Sequence, residues 1–199
     1  MGCDIHAFLE IQDQEGKWQS ADRYKPNKYY DPDEPGEGPE FEVDDIYSGR
    51  DYALFTALAG VRNYGHAVAQ IDEPRGLPAD TNKYIQKERE GWGCDGHSDS
   101  WVLLSELLEF QEKHRTAEYS GMISKEQAEA LEQGENPTSW CQGTSDETAV
   151  HRTWTEAYSV LYDLVDAIKA RVDDEFLNFG SEITEDQAKR TRLVFWFDN

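Results

Sequence analysis

Both ends of this chain carry the signature of extended backbone. From Asp4 to Gln12 the residues alternate: Ile5, Ala7, Leu9 and Ile11 share one side, and Asp4, His6, Phe8 and Glu10 share the other. A period of two suits a strand with one face in a core, not a helix. Asp13-Gln14-Glu15-Gly16 then reads as a turn, with Gly16 able to take the positive φ that a tight reversal needs, and Lys17 to Arg23 completes a β-hairpin. At the other end Leu193-Val194-Phe195-Trp196-Phe197 is apolar on both faces, as expected of an interior strand. The expected architecture is α+β: a small antiparallel sheet, made of the N-terminal hairpin and the C-terminal strand, covered by helices.

The helices are read from spacing and capping. Ser48-Gly49-Arg50-Asp51 predicts a capping box before a helix that carries Tyr52, Phe55, Leu58 and Ala59 on one side and ends near Asn63-Tyr64-Gly65. Trp101 to Lys113 is expected to be helical, opened by Ser100. Ser124 is expected to cap a short helix through Leu131, and the longest amphipathic helix is expected over His151 to Phe176, with Trp154, Tyr158, Leu161, Val165, Ile168 and Val172 as its apolar stripe. Residues 26–45 hold four prolines, two glycines and many acids, which predicts a surface insertion pinned by Tyr29 and Tyr30. Residues 66–100, with Pro74, Pro78 and recurrent glycines, form a connection long enough to suggest a functional loop. A length of 199 residues and the lack of any repeat predict one domain over 1–199.

Charge narrows the partners. Forty-one acids against nineteen Lys and Arg leave a net −22, a surface that repels a phosphate backbone, so direct nucleic-acid binding through a basic groove is not expected. An anionic ligand would need local Arg, Lys or backbone N–H groups. The acidic coat serves solubility, or it imitates a polyanion and inhibits a host nucleic-acid-binding protein. No apolar run approaches the ~18 residues of a membrane span, and Met1-Gly2-Cys3-Asp4 does not resemble a secretion signal, so a cytoplasmic protein is expected. Three cysteines argue against a disulfide framework. Self-association into a homo-oligomer is compatible with all of this.

Cys3-Asp4-Ile5-His6 and Cys94-Asp95-Gly96-His97 repeat one pattern, and the second continues Ser98-Asp99-Ser100-Trp101. If the two segments meet, Asp4, His6, Asp95, His97 and Asp99 surround one cavity. That donor set suits a divalent metal (Zn, Mn or Mg) or acid–base work by His6, His97 and Asp95, with Ser98 and Ser100 donating hydrogen bonds. Arg75, in Pro74-Arg75-Gly76-Leu77-Pro78, is the cation an anionic ligand would need, with Arg62 and Asn63 as weaker binding candidates. Each residue also has a purely structural use: His6 paired with a strand carboxylate, Asp95 holding a turn, the serines capping a helix, Arg75 fixing its loop.

Four blocks, Met1–His6, Tyr52–Asn63, Pro74–Pro78 and Asp95–Trp101, resemble a group of uncharacterised bacteriophage and prophage proteins. Those proteins begin Met-Gly-Cys-Asp-Ile-His and later carry an aromatic-Leu-Phe-x-x-Leu-x-x-Val-Arg-Asn helix, Pro-Arg-Gly-Leu-Pro and Asp-Gly-His-Ser-His-Ser-Trp. Here Asp99 stands where the similar proteins often carry a second His, which weakens a two-histidine phosphodiester mechanism. The resemblance implies a viral protein acting in the host cytoplasm. The expected ligand is a phosphorylated, nucleotide-like small molecule, such as a host defence signal, either sequestered or hydrolysed with a metal's help.

Overall fold

The computed structural model describes residues 2–33, 40–63, 69–176, 180 and 182–199. Strand β1 (Ile5–Gln12) turns back into β2 (Trp18–Ser20). Gly16 sits at φ 79°, and the Asp13 carboxylate accepts the Glu15 and Lys17 N–H groups at 2.8 and 3.0 Å. With α1 (Tyr52–Ala59) and α2 (Lys83–Gly91) between, β5 (His97–Leu103) forms one edge of the sheet and the C-terminal β8 (Thr191–Phe197) its centre. The order is β2-β1-β8-β5, antiparallel throughout, as an α+β fold requires of these terminal strands. Every residue of β8 is buried, which explains an apolar run that does not alternate.

The two sheet faces are unequal. Ile5, Ala7, Leu9 and Ile11 join Leu193, Phe195 and Phe197 in the main core, against α1, α3 (Leu104–Lys113) and α5 (Tyr162–Phe176). Truncating a wholly buried ring such as Phe195 to Ala in such a core costs about 3–5 kcal/mol. On the reverse face Phe8, Val194 and Trp196 pack with Ile85 of α2, partly covered by Leu77, Tyr84 and Trp101. This second core is small, and polar residues lie on both sides of it.

Local signals place α1 and the helix after Ser124, although their details differ. Asp51, not Ser48, caps α1: its carboxylate accepts the Ala53 and Leu54 N–H groups at 2.8 and 3.3 Å. The helix closes at Gly60 (φ 67°) rather than at Asn63; Tyr64 and Gly65 lie outside the described residues. Ser124 caps α4 (Lys125–Glu132) through the Gln127 N–H, as its sequence predicts. The expected insertion opens at the end of β3 (Arg23–Pro26), whose antiparallel partner β4 (Phe41–Asp44) lies within it, and residues 34–39 lie outside the described residues. Val43 and Tyr24 dock it, Tyr24 edge-on to Tyr84, whereas Tyr29 is 81% exposed and pins nothing.

Two predicted helices need correction. The segment expected to be one helix from His151 is β7 (Val150–Ala157), followed by α5 from Tyr162; β7 pairs along its length with β6 (Thr116–Ile123). Trp101 is likewise strand, since β5 runs to Leu103 before α3 begins, so Ser100 caps no helix. No helix among the described residues is long and apolar enough to cross a membrane.

Candidate functional site

The register of the sheet decides what becomes of the two Cys-Asp-x-His segments. Ile5 and His97 both lie opposite Phe197, on its two flanks, while His6 lies opposite Trp196. Cross-strand partners share a face and neighbours along a strand do not. His97 therefore stacks beside Phe197 on the main-core side, and His6 lies between Trp92 and Trp196 on the reverse side. The single cavity expected to unite Asp4, His6, Asp95, His97 and Asp99 is not formed, because one residue of register puts the histidines on opposite faces.

Each predicted residue has a partner of its own. His6 Nε2 lies 3.1 Å from Asp198 Oδ2, and the other Asp198 oxygen accepts the Asp4 N–H at 3.0 Å. Asp4 is gripped by Arg50 through two bonds of 2.8 and 2.5 Å, which hold its carboxyl below the usual range. His97 Nδ1 lies 3.0 Å from the Ser98 hydroxyl, and its Nε2 is buried without a partner. Ser98 takes φ 55° in the bulge that separates His97 from Ser100 in the pairing with β8. Asp99, in the same bulge, pairs with Arg89 of α2. Ser100 is buried and accepts the Arg75 N–H at 3.1 Å, Asp95 sits exposed in the turn after α2, and Asn63 is exposed. Arg62 (φ 56°) donates to Asn199 Oδ1 at 2.7 Å and to the Gly2 carbonyl at 3.3 Å. Among the described residues no three His, Cys, Asp or Glu side chains are grouped to hold a metal ion. Asp198, the partner of His6, escapes a reading by motif; once β1 and β8 are paired antiparallel, it must face Asp4.

The predicted residue that leads to a cavity is Arg75. Its guanidinium is held by Glu106 at 2.9 and 2.7 Å and by Asp72 at 2.9 Å, reaches the Trp101 carbonyl at 3.3 Å, and lies over the Trp101 ring, 4.8 Å from the centroid. Burial raises the Glu106 carboxyl, but Arg75 and the Leu103 N–H together hold it below the ordinary range. So fixed, the 74–80 loop forms one bank of a groove of about 690 Å³ across the reverse face of the sheet. Trp18 of β2, Trp101 of β5, Arg192 of β8 and Lys189 of α6 (Glu185–Lys189) line it with Arg75, Leu77, Pro78 and Asp80 of the loop.

Arg192 is the unusual member. It is 3% exposed, donates from Nε to Glu10 (0% exposed) at 2.8 Å and from Nη1 to Asp80 at 2.9 Å, and lies over the Trp18 ring with its carbon 4.0 Å from the centroid. Its Nη2 is buried and has no hydrogen-bond partner. A buried donor left unmade costs about 1–3 kcal/mol, more on a charged group, and such a debt calls for an explanation. Glu10 also accepts the Asn82 N–H at 2.7 Å, which ties the start of α2 to the same buried pair. Sequence reasoning found Arg75 and missed Arg192, Trp18, Trp101 and Lys189. A buried Arg follows from no local pattern, although Glu10 on the polar side of β1 is a clue that some cation must meet it. Comparison with protein-family profiles, with curated proteins and with solved structures finds no match to this chain.

Proposed function

We propose that this protein binds a phosphorylated, nucleotide-like small molecule in the groove between the 74–80 loop and the sheet. The observation that carries the reading is the unmade donor of Arg192, set among two tryptophans and two further cations in a chain of net charge −22. Indole walls offer stacking surface for a planar base, and a guanidinium edge offers hydrogen bonds to an oxygen acceptor. Lys189, paired with Glu185, also lines the groove.

The reading is sequestration. Hydrolysis assisted by a metal would need ligands brought together, and the five side chains expected to supply them stand on two faces of the sheet and in an exposed turn. If the resemblance to phage proteins holds, a nucleotide signal of the host is the natural class of cargo.

Native mass spectrometry of protein purified from cells, followed by tryptophan-fluorescence titration with AMP, GMP and their 3′,5′-cyclic forms, tests this. A copurified nucleotide mass, or saturable binding weakened at least roughly tenfold by Trp18→Ala and Trp101→Ala, is expected. Equal binding by wild type and variants, or no copurified nucleotide and no binding of AMP, GMP or their 3′,5′-cyclic forms, overturns it. Salt-sensitive capture of a nucleic-acid-binding host protein without any small molecule would instead favour polyanion mimicry.

A further inference from the structure

We infer that the groove selects a nucleotide of single negative charge, a phosphodiester such as a cyclic mononucleotide, over di- and triphosphates. The inference rests on the reading of the groove as a nucleotide site and adds the charge class of its ligand.

The argument is electrostatic. A site built for a polyphosphate presents cations whose charge is not already spent. Here each of the three is spent before a ligand arrives: Arg75 on Glu106 and Asp72, Arg192 on Glu10 and Asp80, Lys189 on Glu185. Three cations face five carboxylates, so the immediate field is negative by two formal charges. Glu10 cannot step aside, since it is wholly buried and also holds the Asn82 N–H. What Arg192 holds in reserve beside the groove is a directional donor, its buried Nη2, rather than free positive charge. One donor edge matches one acceptor oxygen of a diester or a base carbonyl. Each additional phosphate charge, at ~8 Å from two net negative charges in a water-like dielectric, weakens binding roughly fivefold.

Trp18 gives this selection a physical gate. Its ring lies over the guanidinium, 4.0 Å from the carbon, and Nη2 has no open surface, so ligand entry to that donor is expected to shift the ring. Ligand entry therefore changes the environment of Trp18 directly, and Trp18→Phe should remove most of the fluorescence response while leaving a stacking ring in place.

The test is a competition series at fixed ionic strength with 3′,5′-cyclic AMP, AMP, ADP and ATP, read by calorimetry and by tryptophan fluorescence. The expected order is cyclic AMP tightest, with affinity falling roughly fivefold for each added charge and the differences narrowing as salt rises. Affinity that rises from cyclic AMP to ATP overturns the charge selection and leaves the nucleotide reading standing. Binding of none of the four overturns both. If the order holds but Trp18→Phe keeps the full fluorescence change, ligand entry does not pass Trp18 and the gate is refuted.

Discussion

Replacing Asp22 by Asn should stabilise the protein at neutral pH and slightly destabilise it at pH 4. Asp22 follows β2; its carboxylate accepts the Leu9 N–H at 2.9 Å and the Ser20 hydroxyl at 2.9 Å. Burial pushes its pKa from the ordinary 3.8 up to about 6, with neighbouring Glu10 adding to the rise and Arg171 and the two hydrogen bonds opposing it. A carboxyl with a raised folded-state pKa binds its proton more tightly folded than unfolded. Its protonation therefore favours the native state as pH falls through 6, and the ionised group penalises folding above that. The difference of about two pKa units corresponds to about 3 kcal/mol, fully present above pH 6 and gone below pH 4. Asn keeps the bond from Leu9 and loses the charged acceptor for Ser20, a cost of about 1 kcal/mol. The net expectation at pH 7.5 is about 2 kcal/mol of added stability, or ~4–8 °C in a protein of this size. Urea unfolding of both proteins, followed by tryptophan fluorescence from pH 4 to 8, gives the difference directly. Other carboxylates, Asp4 and Asp72 among them, have lowered pKa values and lose stability in acid, but they contribute equally to both proteins. A stability difference that does not grow between pH 4 and 7, or a variant weaker than wild type at pH 7.5, refutes the assignment.

Breaking the buried Glu10–Arg192 pair by Arg192→Leu should cost about 3–5 kcal/mol, because it strands a carboxylate with no exposure; the double change with Glu10→Met should recover most of the loss in chemical denaturation. Asp51→Ala should lower stability by about 0.5–2 kcal/mol through loss of the α1 cap, and Asp51→Ser should restore much of it by thermal melting. His6→Ala and His97→Ala, made singly, should leave nucleotide affinity in the Trp18–Trp101 groove within twofold or so of wild type by calorimetry, since neither lines it. A loss above tenfold from either would restore the site expected from the two Cys-Asp-x-His segments.

Features encoded within a few residues were legible without a structure. The alternation from Ile5 to Ile11, the buried C-terminal strand and the Ser124 cap each depend on side chains that are near neighbours in the chain, and these are where expectation and structure agree. The stretch from Val150 to Ala157 shows where such reasoning stops. Trp154, Tyr158 and Leu161 have helical spacing, yet the backbone of 150–157 pairs with Thr116–Ile123, and no local pattern competes with a ladder whose partners lie 27 to 41 residues apart in the chain.

By itself the sequence determined that the two chain ends would be strands of an α+β sheet, that the surface would be strongly acidic, and which residue types could perform chemistry. The tertiary structure alone decided which of those residues meet. An antiparallel register set one residue apart on the two flanks of β8 sent His6 and His97 to opposite faces, and the same sheet brought Arg192 beneath Trp18 and against Glu10. Strand faces alternate with every residue, so the membership of a site is settled by register, a property of paired strands that neither strand carries alone.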